Sequence, residues 1–345
     1  VLEKLAQQLT AVRSLTDEQV REAVEQLADE KISAVVKADF LTALAQKGET
    51  PDELAAFARA LRDKSIIPPL DAETRAREIL DVVGTGGDRL GTFNISTAAA
   101  LICAAAGVTV AKHGNRAVTS QAGSADVLEA LGVRIDLTPV EAARSLREHN
   151  FAFFFAPAYH PAFKHIALAR KLCAERGQRT IFNLLGPLLN PARPSAILAG
   201  VLQPELCEPL ARVLQSLGIR RAMVVCGKVP DVGCLDELST LGENTIAEFY
   251  QKRGFAVSTS MPETFSLQRA TLADLAGGDR QTNAEIIRRI LRGDERGPKR
   301  DAVLLNAAAA LFVAGKTKSL AEGWDLAGET VDSGRGNEKL SELAC

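Results

Sequence analysis

The sequence predicts an α/β protein, with a small all-helical N-terminal domain and a larger α/β domain built on a central, mainly parallel sheet. Three observations predict it. The first seventy residues carry helix-start signals and helical apolar spacing, with no strand-like runs. Beyond them, short apolar runs alternate with helical stretches, the pattern of strands joined by crossover helices. Glycine-rich or polar clusters then follow directly on two of those runs, where an open α/β sheet places its ligand loops.

In the N-terminal part, Thr16 and Gln19 form a capping-box pattern, and Thr50 and Glu53 repeat it with Pro51 in the first helical position. Leu54, Phe57, Ala58 and Leu61 then recur at helical spacing. The IIPPL run at residues 66–70 breaks the pattern and marks a boundary. Residues 79–83 read as a strand ending in GTGGD at 84–88. Residues 96–106 are alanine-rich and helical, and 108–111 form a second strand ending in KHGNR at 112–116. Residues 151–155 and 222–226 also read as strands. The stretch from about 161 to 194 has prolines at its ends and helical character inside, as an excursion back to the N-terminal helices would have. The expected division is therefore 1–70, completed by about 161–194, against 71–160 with 195–345.

The 345 residues are 46% hydrophobic and 24% charged, a soluble globular composition with material for a large core. A formal net charge of −2 argues against nucleic-acid binding through a general basic field, and 5% aromatic residues argue against a base-stacking platform. Apolar stretches are too short for a membrane span, and no secretory signal is visible at the N-terminus. The six cysteines form no C-x-x-C pair, so a reduced, cytoplasmic protein with mostly buried thiols is expected.

The glycines of residues 84–88 let backbone N–H groups approach an anion without Cβ interference. Asn94, Ser96 and Thr97 add polar side chains at the following helix start, where the dipole favours phosphate. A dinucleotide fingerprint starting at Gly84 would need glycine at position 89, which is Arg89, and there is no P-loop pattern. The second loop gathers Lys112, His113, Asn115, Arg116, Thr119 and Ser120, with Ser124 opening another helix. Two anion-suited loops on successive strands suit a ligand with two separated phosphate groups. Adjacent Asp236 and Glu237, opposite such a ligand, are candidate Mg²⁺ ligands, because Mg²⁺ takes one or two carboxylates plus phosphate oxygens and water.

The ordered motifs GTGGD, FNIST, KHGNRAVTSQAGSADVLEALGV, RTIFNLLGPLLNP and LDELS resemble anthranilate phosphoribosyltransferases. FLTALAQKGET near the N-terminus and DAVLLNAAAALFVAG near the C-terminus extend the resemblance over nearly the whole chain. It implies the nucleoside phosphorylase/phosphoribosyltransferase type of fold, usually homodimeric through the small domain. It also implies transfer of the phosphoribosyl group of 5-phosphoribosyl 1-diphosphate (PRPP) to the nitrogen of anthranilate in tryptophan biosynthesis. By position, the PRPP site would comprise Gly84, Gly87, Asp88, Thr92, Asn94, Ile95, Ser96, Thr97, Lys112, His113, Gly114, Asn115, Arg116, Ala117, Val118, Thr119, Ser120 and Ser124. Ser96, Asp236 and Glu237 would hold two Mg²⁺ ions per subunit. Gly84, Asn115 and Arg170 would touch anthranilate, with Lys112, Asn115 and Arg170 as the catalytic set.

The residues are compatible with that chemistry. An aromatic amine is neutral near neutral pH, so its lone pair needs no strong base. His113 is accordingly expected to orient or pack rather than to act as a general base. The demanding step is parting diphosphate from the ribose carbon, where Mg²⁺, Lys112 and loop N–H groups would stabilise the growing charge. The chain departs from the family pattern at 167–170, where ALAR replaces the usual proline and valine before the arginine. The link from there to RTIFN is about three residues longer than usual, which makes Arg176 and Arg179 competitors of Arg170 for the substrate carboxylate. A pyrimidine nucleoside phosphorylase is disfavoured because Asp236 and Glu237 have a clear role only with a metal and diphosphate.

Overall fold

Eight strands among the described residues form one sheet: β1 (Ile79–Gly84), β2 (Thr109–Gly114), β3 (Phe151–Phe155), β4 (Ala196–Gly200), β5 (Arg221–Val229), β6 (Gly233–Leu235), β7 (Asn244–Tyr250) and β8 (Ala256–Ser260). They are seen in a computed structural model that describes residues 1–117, 121–250, 254–262 and 265–344. The order is β3-β2-β1-β4-β5-β7-β8, with β6 also paired to β5. β3, β2, β1, β4 and β5 run parallel, and β6, β7 and β8 add antiparallel pairs at one side. The chain moves outward from β1 to β3 and returns to β4 on the other side of β1. The sheet therefore has its switch point between the carboxyl ends of β1 and β4, where such sheets open a crevice.

Side chains alternate between the faces with the period of two that strands impose. Leu80, Val82, Val110, Leu198, Met223 and Val225 pack with helices Ile95–Ala105 and Pro298–Val313 on one face. Both helices are buried nearly all round, and their alanines permit that close packing. On the other face, Ile197, Ala199, Ala222, Val224, Ala247 and Phe249 pack with helix Cys207–Ser216. That core continues without a break into helices Leu2–Thr10, Asp17–Ala28, Ala34–Lys47 and Pro51–Asp63.

Both expected capping boxes are present. Thr16 Oγ1 accepts from Gln19 N–H at 3.3 Å while Gln19 Oε1 accepts from Thr16 N–H at 3.0 Å. Thr50 and Glu53 do the same at 3.2 and 2.9 Å. Glu53 is buried because its carboxylate also takes Lys47 Nζ at 2.7 Å and the Leu15 N–H at 2.9 Å.

Helix Ala167–Glu175 packs on helix Ala34–Lys47, with Ile166, Ala169 and Cys173 in the bundle core. Cys173 Sγ donates to the Ala38 carbonyl at 3.5 Å. Buried Lys37 ties the same two segments, its Nζ donating to the carbonyls of Asp29 at 2.7 Å and His165 at 2.8 Å. Arg62 Nε donates to the Leu188 carbonyl at 2.5 Å. Charged groups thus serve here as internal ties between the first four helices and the 161–190 segment.

β2 runs on through Lys112 and His113 to Gly114, residues that read as loop in the sequence. Pairing with β3 as far as Gly114–Phe155 extends it. β4, β6, β7 and β8 have no counterpart among the sequence expectations. Five cysteines are free thiols, only Cys234 of them partly exposed, and Cys345 lies outside the described residues. No described helix is long and apolar enough to cross a membrane.

Candidate functional site

A cleft of about 360 Å³ opens at the carboxyl ends of β1, β2 and β4. One of its walls rests on glycines of three adjacent strands. Gly84 of β1 is in register with Gly200 of β4, and Gly227 lies on β5. The segment carrying Asp236 and Glu237 lies across them. A Cβ at Gly200 would stand 1.5 Å from the Asp236 carbonyl oxygen, one at Gly84 2.1 Å from Asp236 Oδ2, and one at Gly227 2.4 Å from the Glu237 carbonyl oxygen. No other residue type fits at these positions without moving the segment.

The carboxylates are held by main-chain donors. Asp236 Oδ2 accepts from Gly86 N–H at 2.7 Å, and Glu237 Oε1 accepts from Ser96 N–H, in the first turn of helix Ile95–Ala105, at 2.8 Å. Behind them, Leu238 N–H donates to Asn306 Oδ1 and the Leu238 carbonyl accepts from Asn306 Nδ2, both at 2.9 Å. Burial raises the Asp236 carboxyl to about 6, with repulsion from Asp88 second. Burial and then the Asp236 charge push Glu237 well above the usual range. A nearby cation would relieve both. The donor set fits Mg²⁺: these are hard oxygen ligands, supplemented by the Ser96 hydroxyl at the cleft. Among the described residues no three His, Cys, Asp or Glu side chains converge as a metal site, so remaining ligands would come from substrate phosphate and water. The buried Thr97 Oγ1, also at the cleft, has no hydrogen-bond partner among the described residues, which leaves a polar atom for a ligand to satisfy.

Lys112 is buried, with its Nζ donating to the Val82 carbonyl at 2.8 Å. Burial lowers its pKa, opposed by the charges of Asp81, Glu237 and Asp236. Asp81 sits beneath it, accepting from Asn190 Nδ2 at 2.8 Å and His113 N–H at 3.3 Å. His113 and His160 lie 5.4 Å apart edge to face. Burial pushes the His113 imidazole down to about 3 and His160 to about 4, so both are neutral. That state agrees with a packing or orienting role for His113.

The cleft gathers Gly84, Gly87, Asp88, Thr92, Asn94, Ser96, Thr97, Lys112, His113, Gly114, Asn115, Arg116, Ala117, Ser124, Arg170, Asp236 and Glu237. Ile95 is the exception: its side chain is wholly buried in the core and its N–H donates to the Phe93 carbonyl at 2.8 Å. Val118, Thr119 and Ser120 lie outside the described residues. Asn94 and Arg116 are engaged with neighbours around the cleft. Asn94 Nδ2 donates to the Ala122 carbonyl at 3.1 Å and its Oδ1 accepts from Asn283 at 3.0 Å. Arg116 pairs with Asp126 at 2.9 Å and Glu129 at 3.0 Å.

On the opposite wall, the Arg170 guanidinium lies 5.3 Å from the centre of the Phe182 ring, with no ion pair among the described residues. Arg176 points elsewhere, paired with Asp39 at 2.8 Å on the surface of the helical bundle. Phe182 and Asn183 line the cleft as well and were not singled out by the sequence, although both stand in the RTIFN motif. Asp81, Asn190 and Gly200 were also missed. An acidic residue inside an apolar strand was the one available signal for Asp81.

Residues 76–337 match the model of a glycosyl transferase family, a/b domain, and residues 1–65 that of a glycosyl transferase family, helical bundle domain. An anthranilate phosphoribosyltransferase from Lacticaseibacillus paracasei is 46% identical over 330 residues, covering 96% of this chain and 93% of the relative. One from Petrotoga mobilis is 45% identical, covering 98% and 94%. The crystal structure of the Thermus thermophilus anthranilate phosphoribosyltransferase superimposes with a TM-score of 0.88 at 43% identity, covering 99% and 98%. The Saccharomyces cerevisiae enzyme in complex with PRPP and Mg gives 0.87 at 26% identity, covering 99% and 96%.

Proposed function

The chain belongs to the anthranilate phosphoribosyltransferase family, and from that premise we propose how its cleft performs the reaction. It is a glycosyltransferase that moves the phosphoribosyl group of PRPP to anthranilate, giving N-(5-phosphoribosyl)anthranilate and diphosphate in tryptophan biosynthesis. The observation that carries the site assignment is the Asp236–Glu237 pair, seated on strand-end glycines and pinned by the N–H groups of Gly86 and Ser96.

PRPP binds along the loops after β1 and β2, contacting Gly84, Gly87, Asp88, Thr92, Asn94, Ser96, Thr97 and residues 112–120 with Ser124. Ile95 contributes through its main chain alone. Arg116 contributes by holding its loop to Asp126 and Glu129 or by exchanging those partners for phosphate. Asp236, Glu237 and Ser96 hold magnesium, two ions per subunit. When bound, magnesium neutralises charge on the departing diphosphate. Lys112, oriented by the Val82 carbonyl, adds a fixed positive charge behind the same group.

Arg170 holds the anthranilate carboxylate through paired charge-assisted hydrogen bonds, while Gly84 and Asn115 border the ring and amine. Positioning the amine against the ribose carbon supplies much of the rate. No side chain has to deprotonate it before attack, which suits the two uncharged histidines. The helical domain comprises residues 1–70 with about 161–194, and 71–160 with 195–345 form the phosphoribosyl-binding domain. The protein works in the cytoplasm as a homodimer joined through the helical domain, whose exposed Val12, Val35 and Leu168 supply apolar surface.

The test incubates the protein with PRPP, Mg²⁺ and anthranilate, following loss of anthranilate fluorescence and release of diphosphate. Turnover abolished by chelation supports the reading, and turnover without any divalent cation refutes the metal assignment. Sedimentation at assay concentrations tests the dimer.

A further inference from the structure

Arg179 has a fixed backbone and a free head. Gln178 Nε2 donates to its carbonyl at 2.9 Å, and the following Thr180 N–H donates to Asn183 Oδ1 at 2.9 Å. Ile181 is then wholly buried. The Arg179 guanidinium makes no ion pair or hydrogen bond among the described residues, yet it reaches over the first glycine loop. A methyl group placed on Gly87 would lie 3.6 Å from one of its terminal nitrogens.

That loop offers matching donors. Gly86 and Gly87 take positive φ angles of 73° and 87°. The Gly86 N–H is occupied by Asp236, whereas the N–H groups of Gly87 and Asp88 have no hydrogen-bond partner among the described residues. Two free main-chain donors and an unpaired guanidinium therefore meet at the rim, one residue outward from the carboxylate pair. Such a set recognises a phosphate oxygen. The anthranilate carboxylate has a separate free cation in Arg170, beside an aromatic ring that can face the substrate ring.

We infer that Arg179 binds the outer phosphate of the PRPP diphosphate, and of the diphosphate product, together with the Gly87 and Asp88 N–H groups. The inference rests on the reading of the cleft as a PRPP site. It gives the 161–190 segment a hand on both substrates: Arg170 on the acceptor and Arg179 on the leaving group.

The experiment measures binding of magnesium diphosphate by calorimetry, and KM for each substrate, in the wild type, Arg179→Gln and Arg179→Lys. Arg179→Gln should weaken diphosphate binding and raise KM for PRPP roughly tenfold, the loss expected for one charge-assisted contact, with KM for anthranilate nearly unchanged. Arg179→Lys should recover part of the binding, because it restores charge without the planar fork. Unchanged diphosphate affinity in both variants, or a defect confined to anthranilate, would overturn the inference. A wild type that binds magnesium diphosphate but leaves anthranilate unconsumed would instead overturn the acceptor assignment and leave the Arg179 result standing.

Discussion

On the wall made by the ends of β1, β4 and β5, main chain grips the functional groups; on the wall made by residues 161–190, side chains do. Asp236 and Glu237 are held by N–H groups and seated on glycines whose replacement would collide with backbone. Arg170 stands on a nine-residue helix tied to the bundle through Cys173 and Lys37, its guanidinium over a phenylalanine. Phosphate and metal chemistry demands close main-chain approach, which leaves few sequence solutions. Recognition of a flat carboxylate demands one well-aimed arginine, which several local structures can present.

The comparison can be broken most decisively at the carboxylates. Asp236→Asn with Glu237→Gln should lower kcat on the order of a thousandfold, since charge stabilisation at the leaving group is lost. The melting temperature should stay near normal, because both carboxyls are held where burial disfavours their charge. Substantial turnover in that variant would break the metal assignment.

Glycine exchange on the two walls comes next. Gly200→Ala places a methyl 1.5 Å from the Asp236 carbonyl oxygen and should cost about 1–3 kcal/mol or more in chemical denaturation, with weakened PRPP binding. Gly186 has a helical φ of −46° and no atom within 4 Å of an added methyl. Gly186→Ala should therefore stay within about 0.5 kcal/mol of wild type. Equal costs on both walls would erase the contrast.

A smaller effect separates the arginines. Arg170→Lys should raise KM for anthranilate roughly tenfold and spare PRPP, because lysine lacks the planar fork. Arg176→Lys should change neither, since that arginine is spent on Asp39 at the surface. A selective anthranilate defect in Arg176→Lys would displace Arg170.

The smallest expected effect concerns pH. With His113 near 3 and His160 near 4, kcat/KM for anthranilate should show no imidazole inflection between pH 5 and 8. The two rings should contribute a loss of folding stability as pH falls below about 6.5, where the unfolded chain takes protons that they refuse, and the raised carboxyls of Asp81, Asp236 and Glu237 should oppose it; the loss should therefore shrink in His113→Asn. An acid limb near pH 6.5 in the activity profile that disappears in His113→Asn would restore a histidine base, whereas one that persists belongs to the raised carboxyls of Asp236 and Glu237.

Legibility in the sequence followed the same divide. Glycines at 84, 86 and 87 and the polar cluster from Lys112 onward mark the first wall, because a backbone that must approach an anion leaves a compositional trace. Asp236 and Glu237 read as ordinary surface charges until the motifs around them were assembled. Gly200 was invisible because its purpose depends on a segment more than thirty residues later. Phe182 and Asn183 stand on a four-residue helix or at its edge, too short to impose a period, and Arg170 was located through family resemblance. The helical N-terminus was legible through its caps, whereas β7 and β8 were not: β8 is an exposed edge strand with no buried face to impose alternation, and the NTIAEFY run of β7 mixes polar and apolar residues without a clear period.

The spacing of the carboxylate bonds has a further consequence for how the molecule matures. Gly86 meets Asp236 across 150 residues, Ser96 meets Glu237 across 141, and Asn306 clamps Leu238 from 68 residues beyond. A nascent chain that has completed β1 and its glycine loop lacks the seated carboxylate pair, and emergence of Asp236 does not suffice until the helix bearing Asn306 has also docked. Such long-range closures come at a high entropic cost and belong late in folding. Substrate and metal therefore bind only the finished protein and shift the folding equilibrium toward it. PRPP with magnesium should consequently protect the late-docking C-terminal helices from proteolysis as strongly as it protects the glycine loop itself.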